Sequence, residues 1–369
     1  MKRILYIVST LKRTGPTNVL FNLISELDRD RFKPLILTLS AEDERFPSLW
    51  KSFKEIDVRI ESLKLTRLSG FIKGKIELKK IINELNIDVI HINGIRGDLM
   101  VKKKDFNNQL IVTTINSNIY EDYTMLYGSI KGSIMAWLHM RSLKDKVAIG
   151  CSNFVVKELN KKYRAKLNPI YNGIPKEKYT ILLGGDKIKL KKELGLPLGQ
   201  PIFIFVGYLI YRKDPITTIK AFLNSGEAEK SVLLIIGDGP LMEECKQLVG
   251  QNRNVLLLGN QPETLRYLNA SDYYIASSYS EGLPTSVMEA MGCGLPVILS
   301  TIEPHKELVL DIANWDYLFK INDHQMLSKK IDKILTEPYE TLSAQCRSVI
   351  DDKINSQIMT QNYQELYNK

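Results

Sequence analysis

Cysteine is scarce in this chain: Cys151, Cys245, Cys293 and Cys346 stand far apart, with no C-x-x-C among them. That excludes a disulfide framework and a cysteine zinc site, and it fits a reducing cytoplasm. No apolar run approaches the ~20 residues that span a bilayer. Met1-Lys2-Arg3 followed by ILYIV has too short an apolar part for a signal peptide and no small-residue cleavage site, so it reads as a first buried strand. Repeats and low-complexity tails are lacking. So is any helix-turn-helix, zinc-finger or RNA-binding aromatic signature, which argues against nucleic acid as a partner despite a net charge of +9.

What is present suits a soluble α/β enzyme. At 369 residues the chain fits two domains, and 44% hydrophobic with 25% charged residues is ordinary globular composition. The charge is uneven. Residues 1–180 carry 32 Lys and Arg against 19 Asp and Glu, while 181–369 carry 19 against 23. Such asymmetry speaks of partners rather than fold, and an anionic membrane surface or a phosphorylated lipid acceptor fits it.

The most informative stretch is Tyr274 to Ser300, YIASSYSEGLPTSVMEAMGCGLPVILS. Its spacing predicts a strand ending at Ala276, a polar loop from Ser277 to Gly282, and a helix with Pro284 in its first turn. Gly294 ends the helix at C′, Pro296 prevents it resuming, and Val297 opens the next strand. A helix N-terminus at the carboxyl edge of a sheet favours phosphate. Glu281 and Glu289 bracket it. Two acids repel a bare diphosphate but accept hydrogen bonds from the paired hydroxyls of sugars. Either acid alone would read as a surface glutamate. With Gly282-Leu283-Pro284 between them, the pair points to a nucleotide sugar, Glu289 reaching the ribose and Glu281 the transferred sugar.

EGLPTSVMEAMGCGLPVI resembles the E-x7-E region of retaining glycosyltransferase family 4, and within it the bacterial enzymes of capsule and O-antigen synthesis. The resemblance implies the GT-B fold, two facing doubly wound Rossmann-like α/β domains with an inter-domain active-site cleft. It also implies retention of anomeric configuration, and neither metal nor cofactor. The family's pair of glycines after the first strand is reduced here to Gly15, between Thr14 and Pro16. Its histidine after the strand at 110–114 is replaced by Asn116, which can hydrogen-bond but cannot transfer a proton at neutral pH. Its Gly-Arg-Leu then Lys pattern is matched by Gly207 and Lys213, with Tyr208 in the arginine's place and Arg212 as an adjacent substitute. Gly259-Asn260 falls where the family often seats the nucleotide base, and Asn172-Gly173-Ile174 resembles the turn ending its first domain.

Other candidates read more plainly. Asp28-x-Asp30 has metal-binding spacing but sits at a polar helix-to-strand connection. His91 lies inside a buried strand, while Asn93, Gly94 and Arg96 follow it at the ligand edge. Ile130, Ile134, Trp137 and Leu138 form one side of a helix at 129–143, expected to pack in the core, with a membrane contact as the alternative.

The expected organisation is an acceptor-binding domain at 1–178, a linker at 179–198, a nucleotide-sugar domain at 199–345 and a C-terminal helix at 346–369 crossing back to the first domain. The expected catalytic residues are Glu281, Lys213 and Asn116. Donor binding falls to Glu289, Gly282, Leu283, Pro284, Thr285, Ser286, Arg212, Gly207, Asn260 and Gly15. The expected reaction moves a sugar from a nucleoside-diphosphate donor, such as a UDP-sugar, to an undecaprenyl-diphosphate-linked glycan. It would take place on the cytoplasmic membrane face, with Lys102-Lys103-Lys104, the 129–146 segment and Lys161-Lys162 as contacts. The rivals are a nucleotide-sugar 2-epimerase and a non-catalytic binding subunit.

Overall fold

The structure is a computed structural model describing residues 1–66, 70–182 and 184–369. It divides into two compact units, Met1–Gly173 with Ser356–Lys369, and Ile174–Asn355. The first runs β1 (Lys2–Val8), α1 (Gly15–Ser25), β2 (Phe32–Thr38), α2 (Trp50–Glu55), β3 (Arg59–Ser62), α3 (Gly70–Glu84), β4 (Val89–Asn93) and α4 (Ile95–Met100). It continues with β5 (Leu110–Ile115), α5 (Ile119–Tyr127), α6 (Ser129–Ser142), β6 (Val147–Gly150), α7 (Asn153–Tyr163) and β7 (Asn168–Pro169). The second runs α8 (Gly184–Glu193), β8 (Ile202–Val206), α9 (Pro215–Leu223), β9 (Val232–Ile236), α10 (Met242–Val249), β10 (Val255–Gly259), α11 (Thr264–Ala270) and β11 (Tyr273–Ala276). Then come α12 (Thr285–Gly292), β12 (Val297–Ser300), α13 (Glu303–Val309), β13 (Leu318–Phe319), α14 (His324–Ile334) and α15 (Tyr339–Asp352). Helix α16 (Ser356–Tyr367) belongs to the first unit.

Each unit is one all-parallel sheet, ordered β3-β2-β1-β4-β5-β6-β7 in the first and β10-β9-β8-β11-β12-β13 in the second. Parallel sheets are covered on both faces, which explains why the strands read as continuous apolar runs. In β1, Ile4, Tyr6 and Val8 enter one core with Leu20 and Leu23, while Leu5 and Ile7 enter another with Leu37 and Ile92. Alternate side chains thus fill opposite faces.

Both sheets reverse direction of winding, at β1/β4 and at β8/β11. Ligands of such sheets bind outside the carboxyl ends of the strands at that reversal. In the first unit the flanking loops carry Gly15 and Asn93–Arg96; in the second they carry 207–214 and 277–284.

Two segments differ from the sequence reading. Residues 179–198, expected as a linker, contain α8 and belong to the second unit. The lysine run is anchored there: Lys187 and Lys191 reach Asp272 at 2.7 and 3.1 Å. The chain returns to the first unit at Ser356, and Met359, Tyr363 and Tyr367 of α16 join the core around Ile4 and Leu20. Full burial of such a side chain stabilises by ~1.5–3 kcal/mol. His91 is a satisfied core residue, with Nδ1 2.6 Å from the Tyr367 hydroxyl and Nε2 2.7 Å from Thr114 Oγ1. Burial pushes its pKa down to about 3, so it stays neutral.

Candidate functional site

The loops after β8 and β11 are built onto each other. Tyr279 N–H donates to the Arg212 carbonyl at 2.8 Å, Ser277 Oγ to the Asp214 carbonyl at 2.6 Å, and Arg212 Nη1 to the Ser280 carbonyl at 2.8 Å. Tyr211 and Tyr279 stack with ring centroids 4.7 Å apart. Asp214 anchors the turn. Its backbone is left-handed at φ 51°, its carboxylate accepts from Thr217 N–H at 3.1 Å, and Pro215 starts α9 where no N–H is needed. Gly237, at φ 136°, permits the close approach behind this turn, because a Cβ there would run into the Gly207 carbonyl.

This construction brings Lys213, Arg212 and Glu281 together. Lys213 Nζ lies 2.5 Å and Arg212 Nη1 3.1 Å from the Glu281 carboxylate, and Ser278 Oγ donates to it at 2.8 Å. The Glu281 side chain is only 8% exposed. Burial alone would raise its pKa, but Lys213 and Arg212 outweigh that and hold it at about 2. A firmly ionised carboxylate therefore sits under two cations at the sheet's reversal point. Such a group orients cations toward an anion beyond them.

Helix α12 begins at Thr285, one residue later than expected, because Pro284 is extended at ψ 101° and acts as the N-cap. The first-turn N–H groups of Thr285 and Ser286 find no intrahelical carbonyl, as at any helix start. Both residues are half-buried, whereas Gly282, Leu283 and Pro284 are buried. Glu289 is half-buried a turn further on, and Tyr179 Oη donates to its Oε1 at 2.8 Å. Gly207 closes β8 and donates its N–H to the Ile236 carbonyl at 2.9 Å. Asn260 is exposed beyond the carboxyl end of β10.

Two candidates lie in the other unit. Gly15 is exposed in the first turn of α1. Asn116 follows β5, and its Oδ1 accepts from Asn172 Nδ2 at 3.2 Å. Asp28 and Asp30 precede β2, away from the sheet's carboxyl edge, and the Asp30 N–H donates to Asp28 Oδ1 at 3.0 Å. Among the described residues no three His, Cys, Asp or Glu side chains gather as metal ligands.

The sequence shows His305 and Ser300 but not that they pack beneath Glu281. Fully buried His305 has Nδ1 3.0 Å from the Ser300 carbonyl, and Ser300 Oγ donates to the Ser278 carbonyl at 2.7 Å. Burial pushes His305 down to about 4, so it is neutral. The clustered serines at 277, 278 and 280 were the available signal, since buried serines at strand ends need partners.

Each unit is a doubly wound parallel sheet, and in the second a cation–carboxylate cluster precedes a helix N-terminus at the sheet's reversal point, an arrangement suited to an anionic ligand. The Glycosyltransferase Family 4 model matches residues 13–178, and the model for Glycosyl transferases group 1 matches 186–349. The chain belongs to the family 4 glycosyltransferases and has their GT-B fold. It is 27% identical to the Escherichia coli UDP-Gal:alpha-D-GlcNAc-diphosphoundecaprenol alpha-1,3-galactosyltransferase, covering 80% of this chain and 79% of that one. It is 25% identical to the Escherichia coli O-antigen biosynthesis glycosyltransferase WclY, over 99% and 98%. Among solved structures it resembles Anabaena HepE in complex with UDP and glucose, with TM-score 0.82, 16% identity and full coverage of both chains. WaaG, a glycosyltransferase involved in lipopolysaccharide biosynthesis, matches with TM-score 0.76 at 14% identity over 99% of each.

Proposed function

We propose that this enzyme transfers a sugar from a UDP-sugar to an undecaprenyl-diphosphate-linked glycan in O-antigen or capsule synthesis, with retention of configuration and without a metal. The observation that carries the reading is the meeting of Lys213, Arg212 and Glu281 beside the start of α12. In this reading the two cations and the Thr285 and Ser286 amides take up the charge of the departing diphosphate. The donor's anomeric C–O bond breaks as the acceptor hydroxyl attacks from the same face, and the hydroxyl proton passes to the departing phosphate oxygen. No enzyme nucleophile is required. Glu281 fixes the cations and lies beside the transferred sugar. Glu289 takes the ribose, Asn260 the base, the Gly15 loop a donor phosphate, and Asn116 hydrogen-bonds a hydroxyl near the reacting sugar. The name of the Escherichia coli galactosyltransferase relative supports the choice of donor and acceptor, and that of WclY supports O-antigen synthesis.

Labelled UDP-sugars incubated with a lipid extract test this: label on lipid supports transfer, while an epimerised donor or bound donor alone rejects it. Metal dependence is checked separately. Activity is expected to survive excess chelator, because Lys213, Arg212 and the helix N-terminus supply the electrostatics; loss on chelation with rescue by magnesium or manganese rejects that part. Glu289→Ala is expected to weaken UDP binding by ~1–3 kcal/mol, the loss for hydrogen bonds to a charged group. Titration calorimetry with free UDP reads this directly, and parental affinity would remove Glu289 from the ribose.

A further inference from the structure

Helix α6 faces the opposite way from the sequence expectation. Ile130, Ile134, Trp137 and Leu138 recur at i, i+4, i+7 and i+8, the spacing of one helical face. They are 79%, 56%, 50% and 41% exposed. The buried face is Gly132, Ala136, His139 and Met140. Gly132 lets α6 close on α5, since a Cβ there would run into the Tyr123 carbonyl. His139 fastens the helix, with Nε2 3.0 Å from Asp98 Oδ2 and Nδ1 2.9 Å from the Tyr123 hydroxyl. Asp98 is in turn held by Lys146 Nζ at 3.0 Å and Thr113 Oγ1 at 2.9 Å. Rolling α6 to bury its apolar face would break this buried network, which is costly to leave half-made. The exposure is therefore built in. The last turn of α5 adds Met125, Leu126 and Tyr127, all exposed.

Cations border this face. Lys131 Nζ lies 5.9 Å from the Tyr127 ring centre and the Arg141 guanidinium 5.1 Å from that of Trp137. Beside Leu138 opens a pocket of about 380 Å³ lined by Lys102, Lys103, Lys104, Arg141 and Lys144. Asp145 and the Asp98 carboxylate also line it, but the latter is already bound as described. A helix with apolar side chains outward, rings at its margin and a cationic hollow alongside complements a bilayer surface, which offers hydrocarbon and anionic phosphate together.

We infer that the α5–α6 hairpin docks the protein on a bilayer of anionic phospholipid, with a lipid phosphate in the lysine–arginine pocket. The inference deepens the proposed function, because a lipid-linked acceptor is confined to such a surface. Co-sedimentation with phosphatidylglycerol-containing and pure phosphatidylcholine vesicles tests it, using the parent, Ile130→Asp with Ile134→Asp, and Lys104→Glu with Arg141→Glu. The parent is expected to bind the anionic vesicles at least about tenfold more tightly. Each double variant should lose about tenfold or more, with UDP affinity unchanged as the control for folding. Brominated lipid should quench Trp137, and Trp137→Phe should remove most of that quenching. Absent or charge-independent binding, or parental binding by the variants, overturns the inference. So does parental self-association that the isoleucine variants abolish, which would make the face an interface between copies. Vesicle binding without any sugar transfer to lipid would leave docking standing and reject the proposed acceptor.

Discussion

Lys213→Met is expected to lower turnover by about two to three orders of magnitude, the loss on removing one preorganised charge stabiliser from a transition state. The argument starts from the paired loops. Lys213 is only 16% exposed, and Glu281 holds its ammonium at 2.5 Å. The cation is therefore positioned before the leaving group acquires charge, so its reorganisation cost is already met by folding. Methionine keeps most of the volume, and Arg212 with Ser278 still binds Glu281. Loss of charge thus outweighs loss of packing. Arg212→Met should cost less, about tenfold, because that side chain is 30% exposed and solvent screens it. Initial rates at saturating UDP-sugar separate the two. A Lys213→Met enzyme within about threefold of the parent would remove Lys213 from the diphosphate site.

The strand–loop–helix–strand around 273–300 was legible because each boundary carries its own chemistry. An apolar run gives the strand, Pro284 closes the loop, and Gly294 at φ 73° ends the helix. Periodicity also found α6 but gave the wrong direction. An apolar stripe states which residues share a face, not whether that face points to the core. The deciding groups were His139 and Asp98, whose contacts span 15 to 48 residues of sequence, with Gly132 against Tyr123. The same limit hid the grip of Lys213 and Arg212 on Glu281, 68 and 69 positions away. Glu281 was legible as an acid in the loop before α12, but the two cations that hold it were not. The lysine-rich stretch before β8 looked like a linker for a related reason. Charge runs are usually solvated, and nothing local announces that Asp272 will hold Lys187 and Lys191.

Glu281→Gln is expected to reduce turnover and acid-sensitive stability together while sparing UDP affinity. The stability part follows from linkage. The Glu281 pKa falls from an ordinary 4.5 to about 2 in the folded protein, where Lys213 and Arg212 overcome its burial. The unfolded chain therefore binds this proton more readily. The contribution to stability is fully present above about pH 4.5 and is lost as pH falls toward 2. An amide cannot supply the charge, and Lys213 is then left largely buried without its counter-ion. Breaking a buried pair from one side costs about 3 kcal/mol or more. Urea unfolding should show that deficit at pH 7, and it should shrink steadily between pH 4.5 and 2 as the parent's own carboxylate protonates. Nucleotide affinity should move the other way, unchanged or tighter, because the two cations no longer share their charge with a carboxylate. Turnover should still fall, since cations that are not oriented by Glu281 meet the departing diphosphate only after reorganising. Equal stability of the two proteins at pH 7 would show that the ion cluster contributes nothing to the fold. UDP affinity lost in step with turnover would show that Glu281 acts in donor binding, not in holding the cations that act on it.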